Sequence, residues 1–233
     1  ICQLSEYDYE YTKTFVIEQD DLDFQQLVLI CEGLDTLAEI CINDTLIART
    51  NNMHRTYRFD IKPLLQIGEN TIHILFRSPL QFVRKADEKK PLWGVSSTVP
   101  GYQHIRKGHH MFGWDWGPKL PDLGIFRTIY IEKLQEARVK DFYVTQEHKD
   151  GSVTLNIDIE NEFVAASNKS SSFTETLTIC DEEKNVIWEG STELKPENNT
   201  TCTIDNPKLW WPNGYGEQPL YTVTVTLSKD GEE

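Results

Sequence analysis

The chain has no long apolar run. Its longest is Leu27-Val28-Leu29-Ile30-Cys31, far below the roughly 18 residues a membrane-spanning helix needs. Positive charge is scarce. The 23 Lys and Arg residues stand against 37 Asp and Glu, a net charge of −14, whereas a nucleic-acid binder needs a basic face that releases counterions from phosphates. Paired cysteine motifs are missing: Cys2, Cys31, Cys41, Cys180 and Cys202 include no CxxC and mostly fall in strand-like apolar runs. Buried free thiols in a reducing compartment are expected in place of a disulfide framework. No GxSxG, glycine-rich phosphate loop, HExxH or Cys/His pairing occurs, so no self-sufficient catalytic constellation is present.

What remains is a folded, acidic β protein. The 233 residues suit one or two domains, and 39% hydrophobic content with an 11% aromatic share is too apolar for a disordered tail. The sequence opens on Ile1-Cys2-Gln3 without a leader and closes on Lys229-Asp230-Gly231-Glu232-Glu233 directly after a strand-like run, which reads as a piece of a longer polypeptide. Asn43, Asn168, Asn198 and Asn199 begin Asn-x-Ser/Thr patterns, too short to establish secretion. The expected compartment is the cytoplasm, with a lysosomal or secreted location left open.

Period-2 alternation and β-branched or aromatic residues dominate, and helical spacing is scarce. Strands are expected over 9–17 and 27–31, then over 37–42 and 45–50 around Asn43-Asp44, a pair that tolerates the positive φ of a tight hairpin. Asp60 can cap a short turn ending at Gly68, before a strand over 71–76. One helix is expected from Pro79 to about Lys90, with Ser78 as its N-cap and Pro79 at the first position. Alternation vanishes from Pro91 to Pro121, resumes over 125–131, and is interrupted by the polar segment 132–140. A boundary at about residue 136 separates two domains, 1–136 and 137–233. Six short strands in the second, over 141–146, 152–160, 173–180, 186–193, 200–204 and 220–227, suggest an immunoglobulin-like sandwich.

The chemistry-bearing residues crowd the 91–121 stretch, too long for an ordinary connection and too aromatic for disorder. Five of the six tryptophans occupy loop-like places: Trp93, Trp114, Trp116, Trp210 and Trp211; Trp188 reads as a strand residue. In Phe112-Gly113-Trp114-Asp115-Trp116-Gly117-Pro118, glycines and proline fix a tight backbone while two rings bracket a carboxylate. Flat rings suit the C–H face of a sugar and a carboxylate accepts from its hydroxyls; equally, the rings could plug the loop against its own domain. Arg106-Lys107 could reach a sugar hydroxyl or pair with Asp115, or form a solvated basic pair. His104, His109 and His110 with Asp115 offer metal-ligand chemistry, but their spacing fits no ligand motif, and neither metal nor cofactor is expected. His54, His73 and His148 read as structural or solvent-facing. Trp210-Trp211-Pro212-Asn213-Gly214-Tyr215-Gly216 reads as a rigid aromatic corner that seals the sandwich end or docks on a neighbouring domain.

Longer strings give a resemblance. Glu32-Gly33-Leu34-Asp35-Thr36 with Ile42-Asn43-Asp44, Tyr57-Arg58-Phe59-Asp60-Ile61 and Gly68-Glu69-Asn70-Thr71-Ile72 resemble the sugar-binding domain of family-2 glycoside hydrolases. Arg106-Lys107, the Phe112 to Pro118 string and Gly124-Ile125-Phe126 are similar to the β-mannosidase branch of that family, and Leu209-Trp210-Trp211-Pro212-Asn213-Gly214-Tyr215-Gly216 resembles the signature near the end of its immunoglobulin-like domain.

The resemblance implies an all-β chain: a jelly-roll-like sandwich, N-terminally incomplete and carrying a small helix, then an immunoglobulin-like sandwich. It also implies a (β/α)₈ barrel beyond this segment, holding two catalytic glutamates of a retaining mechanism, so no catalytic residue is expected here and the segment alone is expected to be inactive. Trp114, Asp115 and Trp116 match the loop that lines the pocket for a terminal mannose, and Arg106 matches its flank. The implied partners are a β-mannoside substrate and the missing barrel, with no nucleic acid and no membrane. The alternative is a non-catalytic carbohydrate-binding or adhesion module; other family-2 activities are disfavoured by the Trp-Asp-Trp-Gly-Pro string.

Overall fold

Alternation of buried and exposed side chains builds the sheets. A computed structural model describes residues 3–164 and 173–229, leaving Cys2, Asn168 and the last four residues outside. The chain divides into two compact units, Ile1–Leu134 and Gln135–Glu233.

Among the described residues of the first unit nine strands run in order: β1 (Tyr9–Ile17), β2 (Gln26–Cys31), β3 (Leu34–Asp35), β4 (Ala38–Ile42), β5 (Thr45–Arg49), β6 (Tyr57–Asp60), β7 (Gly68–Phe76), β8 (Gly124–Ile125) and β9 (Ile129–Leu134). They form a four-stranded sheet β1-β7-β4-β5, a three-stranded sheet β6-β2-β9 and the short pair β3-β8. On β4 the inward positions are Ala38, Ile40 and Ile42, which cluster with Leu29 and Cys31 of β2, Leu34, Ile61, and Ile74 and Phe76 of β7. This burial between two sheets removes enough apolar surface to drive folding. It also pushes the Cys31 thiol up to about 12, so that thiol stays protonated and unreactive at neutral pH.

Asn43 and Asp44 turn the β4–β5 hairpin with φ of 46° and 64°, as a tight hairpin turn requires. The Asn43 side chain is fully engaged: Nδ2 donates to Leu64 O at 2.9 Å and Asn70 Oδ1 at 2.8 Å, while Oδ1 accepts from Thr71 N at 2.9 Å. The helix α1 (Pro79–Lys89) starts where expected, with Ser78 Oγ accepting from Gln81 N at 3.1 Å and donating to Ser5 O at 2.6 Å.

Two expectations are corrected. The 125–131 run is two strands in different sheets, β8 and β9, because Gly124 and Ile125 pair with β3 while Ile129 onward pairs with β2. The polar segment 132–140 does not interrupt the strands: β9 reaches Leu134 and the next strand begins at Ala137. Charged residues there sit on strand faces, as in the Arg138–Glu162 pair at 2.5 Å, so polarity marked exposure and not irregularity.

The second unit is built from β10 (Ala137–Lys149), β11 (Ser152–Phe163), β12 (Phe173–Cys180), β13 (Val186–Glu193), β14 (Glu197–Asp205) and β15 (Thr222–Lys229). They form two three-stranded antiparallel sheets, β10-β11-β14 and β13-β12-β15. Val153, Leu155, Ile157 and Ile159 alternate along β11 into a core with Leu177, Ile179 and Cys202, against which Trp188 packs. Glu175 is buried and accepts from Asn161 Nδ2 at 2.5 Å and Asn198 Nδ2 at 3.1 Å. The four described cysteines are free, Cys31 and Cys202 buried, Cys41 and Cys180 only partly so.

The segment before α1 makes the first unit sensitive to acid. Burial raises the Asp8 carboxyl, but bonds from Arg77 at 2.8 Å and from the Ser78 N–H at 2.8 Å outweigh it and hold its pKa below the ordinary carboxylate value. A group depressed on folding stabilises fully above its unfolded pKa and loses that contribution as pH falls through its folded pKa. Stability measured by urea unfolding should therefore fall on acidification below about pH 4, and Asp8→Asn should flatten that slope; an unchanged slope would show the network contributes nothing.

Candidate functional site

The 91–123 stretch is an ordered loop held by a satellite core. Leu80 and Val83 of α1 pack with Ile105 and Phe112, joined by Leu37, Val99 and Tyr102. Gly101 lies against the helix at φ 82°, and a Cβ there would stand 2.4 Å from Val83 O, so only glycine permits the approach.

Beyond Phe112 the chain forms a hairpin-like tip. Leu120 N donates to Met111 O at 2.8 Å, Trp114 N to Gly117 O at 3.4 Å and Gly117 N to Trp114 O at 3.3 Å. These bonds place Asp115 and Trp116 at the apex. Gly113, at φ 100°, reverses the side-chain direction, so Phe112 is buried while Trp114 is 48% and Trp116 85% exposed. The rings do not plug the loop.

Trp114 and Trp116 line a cavity of about 770 Å³ together with Tyr102, His109, His110 and Asp122, a size that suits a small ligand. His109 meets Tyr102 edge-on at 5.0 Å between ring centroids. His104 is turned elsewhere, its Nε2 3.0 Å from Lys90 O. Asp115 is exposed at the apex and is not in the cavity lining. Arg106 is exposed outside that lining; its carbonyl accepts from Met53 N at 3.0 Å, and it forms no ion pair with Asp115 among the described residues. The structure thus joins the two tryptophans in one cavity and leaves Asp115 and Arg106 beside it.

Lys107 is not part of a solvated basic pair. Its side chain has 0% exposure, and its ammonium is hydrogen-bonded to the 6%-exposed Asp35. Asp35 also accepts from Thr36 Oγ1, and Asp122 Oδ1 lies 3.5 Å from Lys107 Nζ. Burial of a lysine demands such a partner, since an unpaired ammonium loses its hydration with nothing in return. The signal was present in Leu34-Asp35-Thr36-Leu37, where a carboxylate inside an apolar strand requires a cation; that cation lies 72 residues away.

In the second unit Trp210 and Trp211, about half exposed, line a separate cavity with Phe142, Leu155, Leu220 and Tyr221. Their corner is shaped by Trp211 N donating to Glu217 O at 2.9 Å and Tyr215 N to Pro212 O at 3.0 Å.

The molecule is thus a two-unit β-sandwich protein whose first unit carries an aromatic-lined cavity. It belongs to the glycosyl hydrolases of family 2. Residues 2–127 match the glycosyl hydrolase 2 galactose-binding domain-like family and residues 137–233 match glycosyl hydrolases family 2. The chain is 32% identical to a β-mannosidase of Capra hircus, over 96% of this chain and 27% of that protein. It is 29% identical to β-mannosidase B of Emericella nidulans, over 89% of this chain and 25% of that one. The crystal structure of a β-D-mannosidase from Dictyoglomus thermophilum is similar with a TM-score of 0.89 at 28% identity, covering 99% of this chain and 28% of that chain. A putative β-galactosidase from Bacteroides fragilis shares the fold at 20% identity and a TM-score of 0.69. The chain spans about a quarter of the length of these curated relatives.

Removing the buried ammonium while leaving its carboxylate is expected to be costly. Lys107→Met should lower unfolding free energy by about 3 to 5 kcal/mol, and Lys107→Met combined with Asp35→Leu should recover much of it, read from urea unfolding curves. Equal loss in the single and double variants would show that the two residues are not coupled.

Proposed function

We propose that these two units are accessory domains of a β-mannosidase that removes terminal β-linked mannose, with the reacting carboxyls on a barrel domain outside these residues. In this reading residues 1–136 form the sugar-binding jelly-roll and 137–233 the immunoglobulin-like scaffold. A retaining glycosidase needs a nucleophile and an acid/base carboxyl about 5 to 5.5 Å apart, and these would belong to the barrel. Trp114 and Trp116 supply apolar faces for the sugar ring, Asp115 accepts from its hydroxyls, and Arg106 flanks them. Free cysteines, two of them buried, favour a reducing compartment such as the cytoplasm.

The observation that carries the reading is the exposed Trp114-Asp115-Trp116 apex beside an aromatic cavity. Two exposed indoles side by side on one cavity favour a ligand or partner that covers them. The similarity to β-mannosidases over nearly the whole chain points to the same substrate class.

Asp115→Ala in the full-length enzyme tests it. Loss of a charged acceptor whose hydrogen bonds tighten as the ring flattens toward an oxocarbenium-like transition state should lower kcat/KM for a nitrophenyl β-mannoside by about 30- to 1,000-fold, roughly 2 to 4 kcal/mol. The melting temperature should change little, because the Asp115 side chain is exposed and makes no hydrogen bond or ion pair among the described residues. A destabilised but fully active variant would instead make Asp115 a loop brace. The 233-residue chain by itself should release no nitrophenol, and turnover by it would overturn the assignment of the chemistry to another domain.

A further inference from the structure

Asp122 is a second carboxylate at the cavity that the reading above leaves unused. It lines the same cavity as Trp114 and Trp116, with 70% of its side chain exposed. It is also held from behind. Its N–H donates to Leu120 O at 2.9 Å, its Oδ1 lies 3.5 Å from the buried Lys107 ammonium, and two residues on, Gly124 pairs with Asp35 in β3-β8.

Lys107 has three N–H donors. Asp35 takes the tight bond inside the fold, and Asp122 receives the longer contact at the solvent boundary. Asp122 Oδ2 has no hydrogen-bond partner among the described residues. A carboxylate with one oxygen in ionic contact with an inaccessible cation, and its other oxygen open, is suited to accept from a hydroxyl entering the cavity. An ordinary surface aspartate would have neither the tether nor the aromatic walls.

We propose that Asp122 accepts a hydrogen bond from one hydroxyl of the sugar occupying the cavity and so discriminates among glycosides that differ at that hydroxyl, with Lys107 as its positioning residue. The inference rests on the β-mannosidase reading and adds a specificity-determining residue to it.

The test uses the full-length enzyme, its Asp122→Ala and Asp122→Asn variants, and nitrophenyl β-mannoside with its monodeoxy analogues at each ring hydroxyl. Asp122→Ala should raise KM for the parent mannoside by about 10- to 100-fold, the size of one lost charge-assisted hydrogen bond, with a smaller change in kcat. For one deoxy analogue the wild type and the variant should become equal, because the bond cannot form in either. Asp122→Asn, which keeps an acceptor oxygen, should lie between them. A purely structural Asp122 would impair every analogue by the same factor, and that result, or an unchanged KM, would overturn the proposal while leaving the β-mannosidase reading intact. A wild-type enzyme that cleaves no β-mannoside would remove the reading and the proposal together.

Discussion

Lys107 carries a charge to a position with no solvent, and a charge there persists only against a carboxylate. Asp35 provides it from β3, a strand of two residues. The pair adds little net stability over a well-packed apolar substitute, since desolvation offsets most of the attraction. Its effect is positional. Lys107 stands at the entry of the tryptophan loop and Asp122 at its exit; Lys107 pairs with Asp35, the residue opposite Gly124, and Asp122 contacts the same Lys107 ammonium. The two feet of the loop therefore meet at one buried ammonium. Closing a loop of this length costs only a few kcal/mol of chain entropy, and the cost falls on a contact that folding of the sandwich already makes.

With the feet fixed, the direction of the rings follows from local backbone. Phe112 ends a short 3-10 helix, His109–Phe112, and its ring is buried. Gly113 caps that helix at positive φ and turns the chain outward, and the reciprocal Trp114–Gly117 bonds close the apex within four residues. Phe112 thus serves as the anchor and Trp114 as the exposed platform. Gly101 acts at the other end, where it lets the loop backbone approach α1 closely enough for Ile105 and Phe112 to share a core with Leu80 and Val83. Two glycines, one phenylalanine and one ion pair hold the site in place.

Much of this was legible from local pattern. Runs rich in β-branched and aromatic residues gave β1, β12 and β13 to the residue, Asn43-Asp44 gave the hairpin, and Ser78-Pro79 gave the helix start. What was not legible depended on partners distant in sequence. β3 and β8 are too short for any period to show, and their pairing joins residue 35 to residue 124. The 125–131 run looked like one strand because alternation carries no information about which sheet receives it. Lys107 looked solvated beside Arg106 because sequence neighbours do not reveal burial, yet the two occupy opposite environments. The same limit applies to the site: the tryptophans could be grouped from the string, but that Asp122 joins their cavity while Asp115 stands outside its lining is set by the hairpin's geometry.

The division of labour between sandwich and loop bears on how substrate choice can be encoded in such a chain. The sheets are held by apolar burial that is indifferent to any ligand, and a fold of this kind by itself specifies no substrate. Chemistry enters where the backbone leaves the ladder and can place side chains without satisfying sheet register. Here that stretch is anchored by the Lys107 ion pair and by Ile105 and Phe112 in the core with Leu80 and Val83, so on the proposed reading substitutions at the exposed apex or cavity edge would alter which sugar hydroxyls find acceptors without disturbing that anchor. A change at Lys107 or Asp35 acts differently, since it releases both feet and leaves a buried charge unpaired. If the proposed sugar contacts hold, selection for a new glycoside would work on Asp115, Asp122 and the tryptophans while the ion pair beneath them is retained.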